Sequence, residues 1–376
     1  MKHSSSGMVI SCWMMALFLV AGCKQESASS GPENPNADSQ MKRANTSQGQ
    51  EAPEDPSLLD PEPLYEESAI LSPGEKQSLR LYWPPNKRFI YETSVIQRTS
   101  ANNSPLADMI RSEAQQQFTY ALQTSPPGPD GTQIIQVTYL SAKLMVDMVG
   151  NEMAYDSKRK TDTAQGGDID EENPLRGLDA LMGASINIAL DASGKIQQIT
   201  GTKALHERLS ETIPGQLTSF YEGMIQEDQI QRLVYYEFLP ESEVSAADQW
   251  ESSTSQSMLF GQEATLGKDY TYLGTLPKEE GMAHAISFSV EISPKSTGED
   301  SALPLIMKGG QGKGAILLSR GNHILMAYKS IQNLSVGVDL PAELLAQMPK
   351  AGELAFRVIH STRLLEEEDL ASSPSP

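Results

Sequence analysis

The sequence predicts an α+β domain that is mainly antiparallel β-sheet, with two curved β-sheet halves and a helical segment between them. Apolar and polar residues alternate over several short stretches, and a period of two is typical of strands that bury one face. Glycine-containing turns separate these stretches, and apolar residues adopt helical spacing in one region. We therefore expect hairpin-connected strands before and after a single group of helices.

Three stretches have clear strand patterns. Residues 88–95 combine aromatic and β-branched side chains, residues 285–292 (AISFSVEI) alternate cleanly, and residues 132–148 alternate over their second half. Pro-Asp-Gly at 129–131 and Ala-Ser-Gly at 192–194 are typical of hairpin turns, because glycine adopts positive φ without a steric penalty. We expect each turn to join two antiparallel strands.

The helical segment is predicted at about 203–239. Thr202 is a residue type that caps helices, and Pro214 would end the first helix. Apolar residues recur at helical spacings through the segment: Leu205, Leu209, Ile213, Leu217, Phe220, Tyr221, Met224, Ile230, Leu233, Val234 and Phe238. The spacing predicts three short helices.

Short sequence similarities across the helical segment indicate a duplication. The pattern aromatic-Glu-x-Ser-x-x-Gln occurs at 91–97 and again at 250–256. Two further pairs follow in the same order: 119–122 with 271–274, and the glycine-bounded stretch 183–194 with 314–321. Three pairs in one order favour two related β units, at about 75–200 and 245–366, with a cleft or shared core between them. One large, unduplicated domain is the alternative.

Polar segments flank the folded domain, which is expected at 75–366. Residues 23–71 are rich in Ser, Pro, Glu, Asn, Gln and Gly, and no aromatic residue precedes Tyr65 in this segment. A segment so poor in apolar residues does not bury enough surface to offset the entropy lost on ordering. We therefore expect a disordered linker at 23–71 and a disordered tail at 371–376.

The first 22 residues have the pattern of a signal peptide. Lys2 precedes the apolar run Met8–Val20, which is too short for a comfortable membrane span. Val20-Ala21-Gly22-Cys23 resembles the lipobox of bacterial lipoproteins. The resemblance implies cleavage between Gly22 and Cys23, followed by acylation of Cys23, so that this residue holds the protein on a membrane.

The residue after the lipobox bears on the destination within the cell envelope. In the lipoproteins that the motif resembles, an aspartate at this position often causes retention at the inner membrane. Lys24 occupies it here. The resemblance therefore implies an outer-membrane lipoprotein that faces the periplasm.

Composition excludes several classes of function. Cys12 and Cys23 are the only cysteines, so the processed domain has no thiol for a disulfide, a zinc-thiolate site or a cysteine nucleophile. The net charge is −20 and no basic stripe is present, which argues against nucleic acid as a partner. We expect no cofactor and no metal.

Two motifs superficially match catalytic or nucleotide-binding patterns. The glycine tract 308–314 lacks the spacing and the hydroxyl residue of a phosphate-binding loop, because Gly314 stands where Ser or Thr is needed. We interpret it as a flexible hairpin connection. Ser157 and Lys160 fit a Ser-x-x-Lys pattern without its companion motifs, so we interpret Ser157 as a strand-end residue.

Acidic and histidine residues suggest no defined site. The runs 168–173 and 366–369 are acidic, and we interpret both as solvated segments rather than calcium sites. His206, His284, His323 and His360 are scattered, although His284 and His323 lie on predicted strands and are candidates to meet in space. A pair of catalytic carboxylates has no sequence spacing by which to recognise it.

Several short tracts of the domain resemble an uncharacterised family (a domain of unknown function) of bacterial envelope lipoproteins. They are Asp130-Gly131-Thr132, Tyr155-Asp156-Ser157, and Gly183 followed by Gly194-Lys195. The resemblance implies a β-rich lipoprotein domain and assigns no activity.

We expect a non-enzymatic binding or structural module with no predicted ligand-binding residues. A periplasmic carrier or chaperone for lipid or another apolar ligand, held in a cleft between curved sheets, is the alternative, and a carboxylate-dependent hydrolase is a third. Methionines suit either an adaptable apolar cavity or ordinary core packing: Met145, Met148, Met153, Met182 and Met224.

Overall fold

The computed structural model describes residues 64–72, 74–101, 112–148, 151–158, 178–212, 225–257, 263–278, 281–295, 305–338 and 353–370. The strands in these stretches form one open, curved antiparallel sheet, and the predicted mainly antiparallel β fold is confirmed. Its strands are β1 (Lys87–Ala101), β2 (Ser112–Thr124), β3 (Gln133–Met148), β4 (Asn151–Asp156), β5 (Ser185–Leu190), β6 (Ile196–Thr200), β7 (Gln249–Ser257), β8 (Glu263–Lys278), β9 (Gly281–Pro294), β10 (Leu305–Ser319), β11 (Leu325–Val338) and β12 (Glu353–Asp369). The helices are a 3₁₀ turn (Glu67–Ala69), α1 (Leu178–Leu181), α2 (Thr202–Thr212) and α3 (Glu227–Val234).

The chain enters this sheet at its centre. The strand order is β6-β5-β3-β2-β1-β12-β11-β10-β9-β8-β7, and β4 pairs with β3. The chain therefore meanders outward from β1 to β6, crosses to the opposite edge at β7, and meanders back until β12 pairs with β1. The crossing segment contains α2 and α3.

The two predicted halves are joined by the β1–β12 pair, whose register runs from Lys87↔Asp369 to Ala101↔Leu354. This pairing satisfies the backbone groups that two separate edges would leave open. One continuous sheet therefore spans both predicted halves in the described part of the molecule. The similar motifs at 91–97 and 250–256 lie on β1 and β7, each of which begins its half in chain order.

Alternation along the strands defines one buried face, which we call the core face. On β1, Phe89, Tyr91, Thr93 and Val95 are buried and the residues between them are more exposed. One large apolar cluster lies on the β1–β6 half under the helices, and a second lies on the β7–β12 half. The predicted alternation in β9 is confirmed, because every second residue from Ile286 on is buried.

The helical prediction is right at 203–212 and 227–234, and residues 213–224, including Pro214, lie outside the described residues. It is wrong at 235–239, because α3 ends at Val234 and Tyr235 has extended backbone (φ −122°, ψ 123°). Tertiary packing explains this difference, because the side chains that follow α3 pack on the sheet instead of forming one face of a helix. Gly201 has φ +95°, and a Cβ at this position would lie only 2.8 Å from the Ser185 carbonyl oxygen, so glycine fits where the chain turns into α2.

The glycine tract 308–314 lies inside β10, so the predicted hairpin connection is wrong. Gly310, Gly312 and Gly314 lie on the core face, paired with alternate residues of β9 and β11. A Cβ at Gly314 would overlap the Phe288 ring and the Lys329 carbonyl oxygen. The glycines are therefore needed where neighbouring groups approach the strand closely.

The end of the predicted disordered linker is packed on the fold. Leu71, at the end of the predicted linker, exchanges backbone hydrogen bonds with Thr275, and Leu64 and Tyr65 pack on a small cluster that contains Leu276. Apolar side chains explain why this end of the linker joins the fold. The acidic run 366–369 belongs to β12.

Basic residues of β1 lie opposite this acidic run, whose residues Glu366, Glu367 and Asp369 are exposed, in agreement with a solvated segment. Lys87 Nζ lies 2.7 Å from an Asp369 carboxylate oxygen and 3.0 Å from one of Glu367. Arg88 makes an ion pair of 2.9 Å with Glu368. The acidic residues are therefore paired across the central strands, although water screens these exposed ion pairs.

Among the described residues, none of the helices has both the length and the apolar character needed to span a membrane.

Candidate functional site

A cavity of about 200 Å³ lies between the core face and the end of the crossing segment. We call residues Arg232–Phe238, which close it, the strap. Seven of the described lining residues are aromatic, whereas aromatic residues make up 6% of the chain. The lining is Tyr91, Thr93, Tyr120, Arg232, Leu233, Tyr235, Tyr236, Glu237, Phe238, Ser252, Thr254, Leu266, Lys268, Tyr270, Leu325, Tyr328, Gln332, His360 and Thr362.

An aromatic ladder supports one side of the cavity. Ring centroids are 5.6 Å apart for Trp250 and Tyr270, 5.7 Å for Tyr270 and Phe288, 5.7 Å for Phe288 and Tyr328, and 5.0 Å for Tyr328 and His360. These residues come from β7, β8, β9, β11 and β12. β10 lies between β9 and β11 and contributes Gly314 to the ladder. Because Gly314 has no side chain, the ring of Phe288 can reach that of Tyr328. Offset ring contacts of this kind stabilise the sheet beyond simple burial.

The central strands supply the opposite side. Tyr91 stacks on Tyr120 with centroids 5.6 Å apart and an interplanar angle of 18°. The hydroxyls of Thr93 and Thr362 are 2.9 Å apart, which joins β1 to β12 through their side chains. Burial raises the pKa of Tyr91 and Tyr120 well above the ordinary tyrosine value. Both phenols therefore stay protonated at neutral pH and keep their O–H donors.

Two indole groups hold the strap. Trp83 Nε1 donates to the Val234 carbonyl at 3.1 Å, and Trp250 Nε1 donates to the Phe238 carbonyl at 2.8 Å. The Leu325 backbone N–H donates to the Tyr236 hydroxyl at 3.3 Å. The ring of Tyr236 stacks on that of Phe238 at 5.4 Å. Groups from both halves of the sheet thus position the strap.

Basic groups gather around the cavity. Lys268 is partly buried, and its pKa is lowered first by that burial and then by the positive charge of Arg232, with Glu237 acting in the opposite direction. The pKa of His360 is lowered to about 4, mainly by burial and further by Lys268. His360 is therefore neutral at neutral pH, while Lys268 and Arg232 provide two cations.

Carboxylates are sparse in the described lining of the cavity. Glu237 is the one carboxylate among the described lining residues, and it is exposed. Two convergent acids, which a carboxylate-dependent hydrolase needs, do not meet in this part of the cavity. No cluster of three His, Cys, Asp or Glu side chains suited to a metal ion occurs within the described stretches.

Of the candidate site residues that the structure describes, His360 lines this cavity, whereas Ser157, His206, His284 and His323 are not among its lining residues. Gly22, Cys23 and the acidic run 168–173 lie outside the described residues. Ser157 follows β4 directly, and its Oγ accepts a hydrogen bond of 3.0 Å from the Ala142 N–H, in agreement with a strand-end role.

His284 and His323 do meet, with ring centroids 5.1 Å apart. The Tyr272 hydroxyl lies 2.8 Å from His284 Nδ1, and His323 Nδ1 lies 2.6 Å from the Arg80 carbonyl oxygen. This pair helps to fix the segment before β1 against the β10–β11 turn.

Methionine does not occur among the described lining residues, so ordinary core packing is the better supported of the two interpretations. Met153 and Met182 pack instead against the larger apolar cluster. Sequence reasoning missed the strap and Lys268. A usable signal was the density of aromatic residues in Tyr235–Phe238 directly after a helical pattern.

Comparison with known proteins gives no established activity. No curated protein matches the sequence. A solved structure of lipovitellin, described under "Lipid-protein interactions in lipovitellin", is 10% identical with a TM-score of 0.40, over 78% of this chain and 27% of that chain. The present chain thus spans about a quarter of the lipovitellin chain.

Two outer-membrane or related structures show weaker similarity. OccK5 (OpdH) of Pseudomonas aeruginosa is 6% identical with a TM-score of 0.17, over 75% of this chain and 98% of that one. The COG4313 outer membrane channel of Pseudomonas putida F1 is 6% identical with a TM-score of 0.14, over 78% of this chain and 100% of that one. These similarities are too low to transfer any function. The sequence of residues 130–309, from the β2–β3 turn into β10, matches a family of unknown function, DUF6263.

Proposed function

We propose that the domain is a non-enzymatic binding module that holds a small, ring-containing amphipathic molecule between the core face and the strap. The observation that carries the proposal is the cavity itself, with aromatic rings and hydroxyl groups on all described sides. Rings offer faces for stacking, and a few directed polar groups orient a ligand. Thr362 Oγ1 and His360 Nε2 lie 3.4 Å apart in the lining, farther than the roughly 2.6–3.2 Å at which a base activates a hydroxyl nucleophile.

The size of the cavity limits the occupant. Pockets for drug-sized ligands have volumes of roughly 300–1,000 Å³, and this cavity has about 200 Å³. It accommodates a single-ring compound or the end group of a larger molecule. Carriage of a whole lipid, the alternative expected from the sequence, requires the strap to move away from the sheet.

Binding can be tested with 3-phenylpropionate and 3-phenylpropionamide by calorimetry on the processed protein. The fluorescence of Trp250, which stacks on the cavity residue Tyr270, provides a second readout. The variant Ser252→Phe fills the cavity, whereas Ser253→Phe adds the same ring on the exposed face of β7. We expect saturable binding that S252F abolishes and S253F retains. Absence of binding by both compounds, or equal binding by both variants, would overturn the proposal.

We also propose that Cys23 anchors the module to the periplasmic face of the outer membrane through an acylated amino terminus, with the following segment as a tether. The support is the sequence Val20-Ala21-Gly22-Cys23 behind a short apolar run. A flexible linker of roughly 40 residues, from Lys24 to the packed segment at Leu64, reaches roughly 35 Å, which allows the cavity to face the periplasm away from the bilayer.

The anchor can be tested in a Gram-negative host by intact mass spectrometry of the membrane-extracted protein. We expect an acylated chain that begins at Cys23. Cys23→Ser is expected to lose the lipid mass, while Cys12→Ser, within the signal peptide, is expected to keep it. Wild-type protein recovered without lipid would refute the anchor and leave the binding proposal untouched.

A further inference from the structure

We propose that the ligand of this cavity carries an oxyanion, a carboxylate or a phosphate, next to its ring, and that Lys268 and Arg232 select it. The inference rests on the proposed binding function and adds the charge class of the ligand. It comes from the distribution of charge around the cavity.

The cavity is locally basic in an acidic protein. The chain has a net charge of −20, yet the described lining has two basic side chains, Lys268 and Arg232, and the one exposed acid Glu237. Lysine is seldom buried without a partner of opposite charge. The partly buried Lys268 at this cavity therefore favours a ligand with an anionic group.

Helix electrostatics account for only one of the cations. Arg232 lies in the last turn of α3, where a positive side chain compensates the negative end of the helix dipole. Lys268 lies on β8, within the sheet, so this explanation does not extend to it. Its side chain instead faces the cavity.

The basic groups also disfavour each other. Arg232 lowers the pKa of Lys268, and Lys268 lowers that of His360. Mutual repulsion of partly buried like charges is unfavourable, and an anion between them removes it. An oxyanion would find Lys268, Arg232 and nearby hydroxyl donors such as Thr362 around the same space.

Protonated hydroxyls complete the set of donors. Burial raises the pKa of Tyr236 and Tyr270, so both keep an O–H at neutral pH. Hydrogen bonds from neutral donors and cations to an oxyanion are stronger than those to a neutral carbonyl. The cavity is therefore expected to prefer an acid over its amide.

The test compares 3-phenylpropionate, phenyl phosphate and 3-phenylpropionamide on the processed protein and three variants. We expect at least one of the two anions to bind about ten-fold more tightly than the amide. Lys268→Met is expected to reduce this preference to about three-fold or less, and Lys268→Arg to retain it. Lys313→Met removes the same charge from the exposed reverse face of β10 and is expected to leave the preference unchanged.

The outcomes separate the two proposals. If none of the compounds binds, the binding function fails, and with it this inference. If the amide binds as tightly as both anions to wild-type protein, the inference fails while the binding function stands. If K268M does not fold, the variants Arg232→Gln and Lys268→Gln replace it, each after it has been verified as folded. An unchanged preference for the anions over the amide in these variants overturns the inference. A reduced preference supports it. Comparison of the carboxylate with the phosphate then identifies which oxyanion is preferred.

Discussion

Trp250 on β7 donates its indole N–H to the carbonyl oxygen of Phe238, 2.8 Å away, and so ties the strap to the edge of the sheet. Trp250→Phe keeps a ring that can stack on Tyr270 but loses this donor. A hydrogen bond of this kind contributes about 1 kcal/mol. We therefore expect faster amide hydrogen exchange in residues 232–239, with the strands of the sheet little changed.

Tyr82→Phe is the matched control for this prediction, because Tyr82 is 59% exposed and the change also removes one polar group from an aromatic residue. It is expected to leave exchange in the strap as in the wild type. Strap exchange that is the same in W250F and Y82F would show that the indole bond does not hold the strap.

Gly314 is expected to be intolerant of even one added carbon. Gly314→Ala places a Cβ against the Phe288 ring and the Lys329 carbonyl oxygen, and overpacking of this kind typically lowers stability by about 1–3 kcal/mol. Gly267→Ala in β8 is the control, because a Cβ there has nothing within 4 Å. Urea unfolding of both variants measures the difference. Equal free energies of unfolding in the two variants would contradict the close approach of neighbouring groups to Gly314 of β10.

Glu92 links β1 to β12 at the centre of the sheet. Its Oε1 accepts bonds of 2.9 Å and 2.7 Å from Nε and Nη2 of Arg363, and its Oε2 accepts one from Gln117 of β2. Glu92→Ala is expected to lower the free energy of unfolding by about 1 kcal/mol, since the solvent-facing guanidinium is partly screened. Glu207→Ala breaks the exposed 3.7 Å pair with Lys203 and is expected to change stability by less than about 0.5 kcal/mol. If E207A lowers the free energy of unfolding as much as E92A does, the Glu92–Arg363 pair has no special role.

Stability should fall in mildly acidic solution because two histidines are neutral in the folded state. The pKa of His284 is lowered to about 4 by burial and then by His323 and Arg320, and that of His360 to about 4 by burial and then by Lys268. An unfolded histidine has a pKa near 6.5. Between about pH 6.5 and pH 4 the unfolded chain therefore binds more protons, so the free energy of unfolding decreases as pH falls.

Each histidine is expected to lower the free energy of unfolding by at most about 3 kcal/mol across this pH range. The double variant His284→Asn/His360→Asn is expected to flatten the dependence over this window, measured by urea unfolding at several pH values. His206→Asn, on α2, serves as the control and should keep the wild-type slope. A double variant with an unchanged slope would assign the acid sensitivity to other groups.

Local sequence patterns predicted the elements whose causes are local. The alternation in β9 and the positive φ of Gly131 and Gly194 appear in the structure where the sequence places them. A helix was predicted after the cap candidate Thr202, but α2 already includes Thr202 and Gly201 precedes its first residue. Sequence propensity gave the wrong prediction for β10, where tertiary packing overrides it. This glycine-rich stretch forms a strand, and its glycines leave room for the Phe288 ring.

The cavity depends on contacts that no local pattern records. Tyr91 on β1 and Tyr270 on β8 line the same space only because β12 pairs with β1 and the crossing segment returns over the core face. Lys268 has the appearance of an ordinary polar strand residue in the sequence. Its place near Arg232 and His360 arises from three separate elements.

The sequence by itself determined the antiparallel β character, the helical crossing segment and the acidic composition, because hydrophobic period and turn chemistry act over a few residues. It also predicted the export signal and Cys23 from a contiguous motif. Only the tertiary structure decided that the two halves form one sheet, where the strap lies, and which side chains surround the cavity. Those features depend on long-range strand pairing and close packing, which join residues such as Trp250 and Phe238 through space rather than through periodicity.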